Sequence, residues 1–231
     1  MISAFFCCVN MMKKITFKSI FWSLVALFIV AMGVAFSTKV GLGTSPIASP
    51  SYALTFVFQL TLGECVVITN IFLILGQIII LKKDFDYFQL TQFISIVILG
   101  VFVDIGMLLA NLFTFQNYFL LLLEQVLGCV LLAFGIRLEI AVDCIFLPGE
   151  GFVEAMVTKY NWKFGIVKIL FDLFMVLLAA LITLIFSGEV QGIREGTLIA
   201  AIVVGLLIRY CDKPIEPILN YVSHGGRHGR K

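Results

Sequence analysis

The sequence predicts an all-α integral membrane protein, with six transmembrane helices and two short interrupted or re-entrant helices arranged as two inverted three-helix repeats. Three observations carry this. Of the 231 residues, 61% are hydrophobic and 13% charged, and the mean hydropathy is +1.10, far from the roughly half-apolar, one-quarter-charged average of soluble domains. Apolar runs of near-bilayer length recur along the chain and leave no room for a separate soluble domain. Finally, a stretch punctuated by glycine and proline follows both the first and the fourth run, so the second half repeats the order of the first.

Taken in order, residues 1–16 form a cytoplasmic segment, in which a start at Met11 or Met12 in place of Met1 leaves Lys13 and Lys14 as the usual basic head of a first span. The run from Phe17 to about Ser37 exceeds a signal-peptide core and lacks a small-x-small cleavage site, so it is retained as the first span. Pro46, Pro50 and the glycines of GLG then break the pattern. Ser45 before Pro46 reads as an N-cap with proline at the first helical position, which starts a short helix that need not cross. Spans two to four run from about Cys65 to Leu81, Thr91 to Phe113 (with Asp104) and Tyr118 to Ile136 (with Glu124). Glu124 is expected near the outer end of its span, where a carboxylate reaches water. After Arg137 the chain is punctuated again by Pro148, Gly149 and Gly151. A second short helix follows, with Glu150 at its N-terminus, where a carboxylate is favoured. Trp162 to Phe186 is the fifth span and Thr197 to Arg209 a short sixth; the loop between them carries Arg194 and Glu195, and residues 213–231 are a cytoplasmic basic tail.

Lysine and arginine set the orientation. With both termini cytoplasmic, one side receives Lys13, Lys14, Lys18, Lys82, Lys83, Arg137, Lys159, Lys163, Arg209, Lys213, Arg227, Arg230 and Lys231, and the other only Lys39 and Arg194. Residues 17–113 and 118–212 then form two membrane repeats of three spans each. An odd number of spans makes tandem copies insert in opposite directions, related by a pseudo-two-fold axis in the membrane plane. The register sets Gly41 to Gly43 against Gly149 to Gly151, Tyr52 against Tyr160, Gly63 against Gly165, Asn70 against Asp172 and Gly100 against Gly205.

Polar residues at membrane depth are the functional candidates. Lys168 and Asp172 lie one helical turn apart on one face of the fifth span; charge is costly there, so such a pair either contacts a solute or is a structural ion pair. A rise of ~1.5 Å per residue puts Asn70 and Asp172 each roughly ten to fifteen ångströms into the bilayer from opposite faces, so they are expected to meet near its midplane. Asp172, Lys168, Asn70, Thr44, Ser45 and Glu150 are therefore the candidate substrate-binding residues. Each also has a structural reading, as an ion pair, an interhelical hydrogen bond or a cap. Structural roles are expected for Pro46, Pro148, Gly149, Gly151, Arg194, Glu195, Asp104 and Arg209. The last is an interfacial anchor, which inverted symmetry sets toward the face opposite Asp104.

The six cysteines (Cys7, Cys8, Cys65, Cys129, Cys144, Cys211) have no zinc-ligand or redox spacing, and His224 and His228 sit in the tail, leaving no histidine in the spans. No nucleophile, base and orienting group come together. The expectation is no enzyme, no cofactor, no metal and no nucleic acid; the partners are the lipid bilayer and a small molecule or ion. The sequence fixes no oligomeric state.

GLGTSPI after the first span, PGEG before the fifth, KFGIVKILFD, and REGTLIAAIVVGLLIR near the end together give a chain that resembles the YczE/YyaS/YitT family of bacterial multi-pass inner-membrane proteins, from about Lys13 to Asp212. The resemblance implies a bacterial plasma-membrane protein and supplies no reaction. The soluble C-terminal domain that YitT-type members often carry is not matched after the sixth span, so its attributes do not transfer. Inverted repeats with interrupted segments suggest a small-solute transporter or channel with a polar site near the midplane; the alternative is a non-transporting partner or regulator of another membrane complex. Reporter fusions after Lys83 and Lys213 should read cytoplasmic, and fusions after Asn117 and Gly192 external; a cytoplasmic signal at Asn117 would remove both the six-span count and the inverted repeat.

Overall fold

The computed structural model describes residues 17–85, 87–142, 147–211 and 215–216, and for Asp84, Tyr87, Phe88, Arg209 and Tyr210 the backbone alone. The basic N-terminal segment with Cys7 and Cys8, then Cys144, and the tail with Lys213, His224 and His228 lie outside the described residues, as does the Arg209 side chain.

Eight α-helices are described: α1 Phe17–Lys39, α2 Ser49–Val57, α3 Leu62–Leu81, α4 Gln92–Ala110, α5 Tyr118–Val142, α6 Pro148–Tyr160, α7 Phe164–Ser187 and α8 Glu195–Tyr210. Five of them (α1, α3, α4, α5 and α7) are long and apolar enough to cross a membrane. The expected sixth span corresponds to α8, a shorter apolar helix of 16 residues. The fourth span, expected to end at Ile136, continues to Val142 as α5.

Local chemistry explains the boundaries. Thr61 and Glu64 form a reciprocal capping box at the start of α3. Asp104 of α4 completes it: one carboxylate oxygen accepts from the Gly63 amide at 2.8 Å and the other from the Thr61 hydroxyl at 2.8 Å. The first turn of α3 is thus closed by a carboxylate, which the helix dipole favours. Ser45 does open a helical turn, but through its carbonyl, which accepts the Ala48 and Ser49 amides, rather than as a side-chain cap. At the other end of the bundle Asn161, in the left-handed region, stops α6.

The centre is the α1–α5 pair, with α4 packed on α1 and α8 on α5. Small residues bring the two helices close. A β-carbon at Gly33 would stand 2.8 Å from the Leu132 Cα, and one at Gly135 2.7 Å from the Val30 backbone nitrogen. Around this seam Leu27, Val30, Val34, Leu99, Val103, Leu132 and Ile136 form the main apolar core. The short helices cross over: α2 packs on α7 and α6 on α3, and each also lies against the long helix that follows it. α3 packs on α4, whereas α7 and α8 share no comparable contact.

Glu124 does not reach water as expected. It is buried, and its carboxylate binds the Lys39 ammonium at 3.0 Å, with side chains 3% and 11% exposed. Lys39 also donates to the Phe113 carbonyl, so the end of α1, the α4–α5 connection and α5 are tied by one cation. The reason is that α1 ends level with the second turn of α5, where a lone carboxylate or ammonium would be desolvated without compensation. Replacing Lys39 by Met alone should therefore destabilise the detergent-purified protein by about 3–5 kcal/mol, the usual cost of stranding one buried charge. The double change with Glu124→Leu should recover much of that in thermal unfolding. Equal losses in the single and double variants would mean that the pair does not hold these segments together.

Candidate functional site

The densest polar assembly surrounds the start of α6, where the helix begins inside the bundle and leaves amides to be satisfied. Glu139, near the end of α5, accepts the Leu147 amide at 2.6 Å. Gln77 of α3 donates to the Pro148 carbonyl at 3.0 Å and exchanges amide hydrogen bonds with Gln92 of α4 at 3.2 and 3.3 Å. Gly151 lies so close to this amide pair that an added β-carbon would sit 3.1 Å from the Gln77 oxygen. The second Glu139 oxygen is buried without a hydrogen-bond partner among the described residues.

Glu150 links this group to α7. It lies within electrostatic reach of Glu139 on one side and of Lys168 and Asp172 on the other. Lys168 binds Asp172 at 2.7 Å, the pair being about a quarter exposed, and its ammonium also stands 5.7 Å from the Phe171 ring centroid. Burial pushes the Glu150 carboxyl above the ordinary carboxylate range; Lys168 works against that shift and Asp172 adds to it. Three carboxyls, one ammonium and two carboxamides thus converge at one helix start. Such a set has spare acceptor capacity for a proton or a cationic or hydrogen-bonding solute.

A second polar group surrounds the non-helical segment before α2. Thr44 is fully buried, accepts from the Thr38 hydroxyl at 2.8 Å and lies 3.5 Å from the Ser37 hydroxyl. Gln125 of α5 donates to the Gly196 carbonyl at 3.3 Å, and the Gly196 amide donates to the Leu42 carbonyl at 2.8 Å. Gly43, at φ +109°, passes against Thr197, where a β-carbon would overlap the hydroxyl. Arg194, just before α8, and Glu195, its first residue, are paired and about half exposed. The two starts adjoin: Ile47, beside Pro46, rests against Gly149.

The expected meeting of Asn70 and Asp172 does not occur. Asn70 donates to the Val66 carbonyl of its own helix at 2.8 Å. Its helix and that of Asp172 each pack on both short helices but share no comparable contact. The space is filled by Leu73, Val153, Val167, Phe171 and Met175, because an amide that turns back onto its own helix needs no partner across an apolar core. Of the predicted residues, Glu150, Lys168 and Asp172 come together, Thr44 and Ser45 belong to the other helix start, and Asn70 to neither. Glu139, Gln77 and Gln92 were not anticipated. Glu139 reads as loop when the span is ended at Ile136, while Gln77, an amide in an otherwise apolar run, was the available signal.

Three comparisons place the chain among known proteins. Residues 17–213 match the family model described as "Family of unknown function (DUF6198)". Over 199 residues the chain is 26% identical to "Uncharacterized membrane protein YczE" of Bacillus subtilis (strain 168), covering 84% of this chain and 86% of that protein. No solved structure matches. With its five membrane-length helices and a family match that spans all eight helices, the chain is a membrane protein that belongs to the DUF6198 family.

Proposed function

We propose that the protein is a small-solute transporter or channel of six spans, built as an inverted repeat, with its solute site at the start of α6. The observation that carries this is the crossed packing of the short helices: exchanging α1–α4 with α5–α8 maps α2 on α7 onto α6 on α3, and α4 on α1 onto α8 on α5. Residue detail follows the same exchange, since a shift of 102 positions converts the Gly33–Leu132 contact into Gly135–Val30. Helices interrupted at the interface of two such halves are how many transporters expose backbone and side-chain groups to a solute. Glu139, Glu150, Lys168 and Asp172 supply the charge there, and Gln77 and Gln92 fix the helix start that carries it.

A non-transporting membrane partner is the second reading, favoured by one observation. α7 is the least buried of the five long helices, at 22% against 39–44% for the others, and presents Ile169, Phe174, Leu177 and Leu181 outward. A face of that kind suits either lipid or another membrane helix.

The experiment that separates them compares metabolite accumulation between deletion and complemented cells, and then tests variants. Asp172→Asn should leave a folded, well-expressed protein whose flux is lost or shifted in pH dependence, and adding Lys168→Met should not rescue it. A purely structural pair gives the reverse, with lost expression that the double change restores. Normal flux in well-expressed Asp172→Asn rules out the site.

Glu150 gives an independent check. Its raised carboxyl pKa means it takes up its proton at higher pH than a free carboxylate, so flux should show an inflection above the ordinary carboxylate range. Glu150→Gln should remove that inflection. An identical pH profile in the variant excludes Glu150 from the transport step.

A further inference from the structure

We infer that the group around the segment before α2 is a binding site for a small monovalent cation of sodium's class, separate from the site at α6. The Gln125 Oε1 and Thr197 Oγ1 atoms have no hydrogen-bond partner among the described residues, although Gln125 is fully buried and Thr197 is 2% exposed. Leaving such groups without a partner costs their full desolvation, and native interiors rarely tolerate it.

Hydrogen accounting shows what they lack. Ser37 donates its hydroxyl hydrogen to the Val34 carbonyl at 3.0 Å, so in its contact with Thr44 it accepts. Thr38 donates to Thr44, and Thr44 in turn to Ser37. Gln125 turns one amide hydrogen to the Gly196 carbonyl, which leaves its carbonyl oxygen, a pure acceptor, without a partner. The Gly196 and Thr197 amides are already taken by the carbonyls of Leu42 and Arg194. What remains is the Gln125 carbonyl oxygen, which calls for a cation or a donor, and the Thr197 hydroxyl, whose oxygen and hydrogen are both unspent.

The donor set narrows the class. It contains neutral oxygens with no carboxylate, thiolate or imidazole, a poor set for divalent and transition metals and an ordinary one for an alkali ion. The nearby full charges are paired with each other, Lys39 with Glu124 and Arg194 with Glu195. Thr38 lies in the last turn of α1, whose C-terminal dipole favours positive charge. Non-helical backbone at Gly43 and Thr44 is of the kind whose carbonyls coordinate such ions in interrupted helices. Glycine at 43 and 128 lets the backbone approach Thr197 and Ser37 closely, which draws these elements together.

The contrast with the other helix start explains why these oxygens lack a protein partner. Gly151 faces Gln92, and Gly43 faces Thr197, in equivalent places. Gln92 is satisfied by Gln77, whereas the 102-position register puts Ala179 where that partner would be, so the Thr197 hydroxyl has lost the amide that its counterpart keeps.

Ion binding is read without any solute flux, so its test stands apart from the transport reading. Purified full-length protein in detergent is unfolded thermally in sodium, potassium and N-methyl-D-glucamine chlorides of equal ionic strength. Sodium should raise Tm by a few degrees in a saturable way, as expected for a ligand that binds only the folded state. Thr197→Val, which keeps the side-chain shape, and Gln125→Leu should each abolish the sodium increment, and Thr197→Ser should retain it. Should Gln125→Leu not fold, the Thr197→Val and Thr197→Ser comparison decides. The inference is overturned by equal Tm in sodium and N-methyl-D-glucamine, by an equal increment in potassium, or by a sodium increment that survives Thr197→Val. A cation-independent change in the variants identifies an ordered water instead and overturns it too.

Discussion

The structure depends on one constraint: the chain leaves helical conformation twice inside an apolar bundle, and each exposed backbone group must find a protein partner because lipid offers none. Before α2, the Leu42 carbonyl is met by Gly196 and the Ser45 carbonyl by the amides that start the helix. Before α6 the Leu147 amide is met by Glu139, and the first carbonyl of the helix, Pro148, accepts from Gln77. These partners come from α8, α5 and α3, so satisfying two short breaks fixes where three other helices lie. The apolar contacts then fill the volume that those polar contacts define.

The two breaks have taken different side chains. One is served by hydroxyls and a carboxamide and carries no net charge; the other is acidic, with one ammonium beside it. On the proposed inverted repeat, the same backbone device has been kept in both halves while its chemistry has diverged. The divergence extends to the flanking seam. Gly63 and Gly100 meet between α3 and α4, with Asp104 closing the joint, whereas Gly165 and Gly205 have open space around them. On the proposed register Asp104 corresponds in sequence to Arg209, and the cap position Thr61 to Lys163.

Much of the fold was legible in the sequence. The five long apolar helices follow from composition and run length, and both short helices from glycine and proline in otherwise apolar stretches, because these residues break helices whatever surrounds them. The Lys168–Asp172 pair was legible since both members lie on one helix turn. What was hidden depends on pairing across the chain. Nothing local in the run around Asp104 says that it caps a helix 41 residues earlier. Nor does anything near Glu124 say that its ammonium comes from 85 residues away. Asn70 misled for the opposite reason: an amide at membrane depth suggests a distant partner, yet its own helix supplied one four residues back.

The Lys39–Glu124 pair also bears on how the chain is made. Helices enter the membrane in the order of synthesis, and α1 arrives with its ammonium at a depth where the completed fold has a carboxylate. That carboxylate belongs to the fifth helix to emerge, and the carbonyl that shares the cation lies in the turn just before it. Until α5 is made, the ammonium lacks that partner. The end of α1 is therefore held by groups that only later parts of the chain supply, and the first half of the molecule is not self-sufficient in its polar contacts.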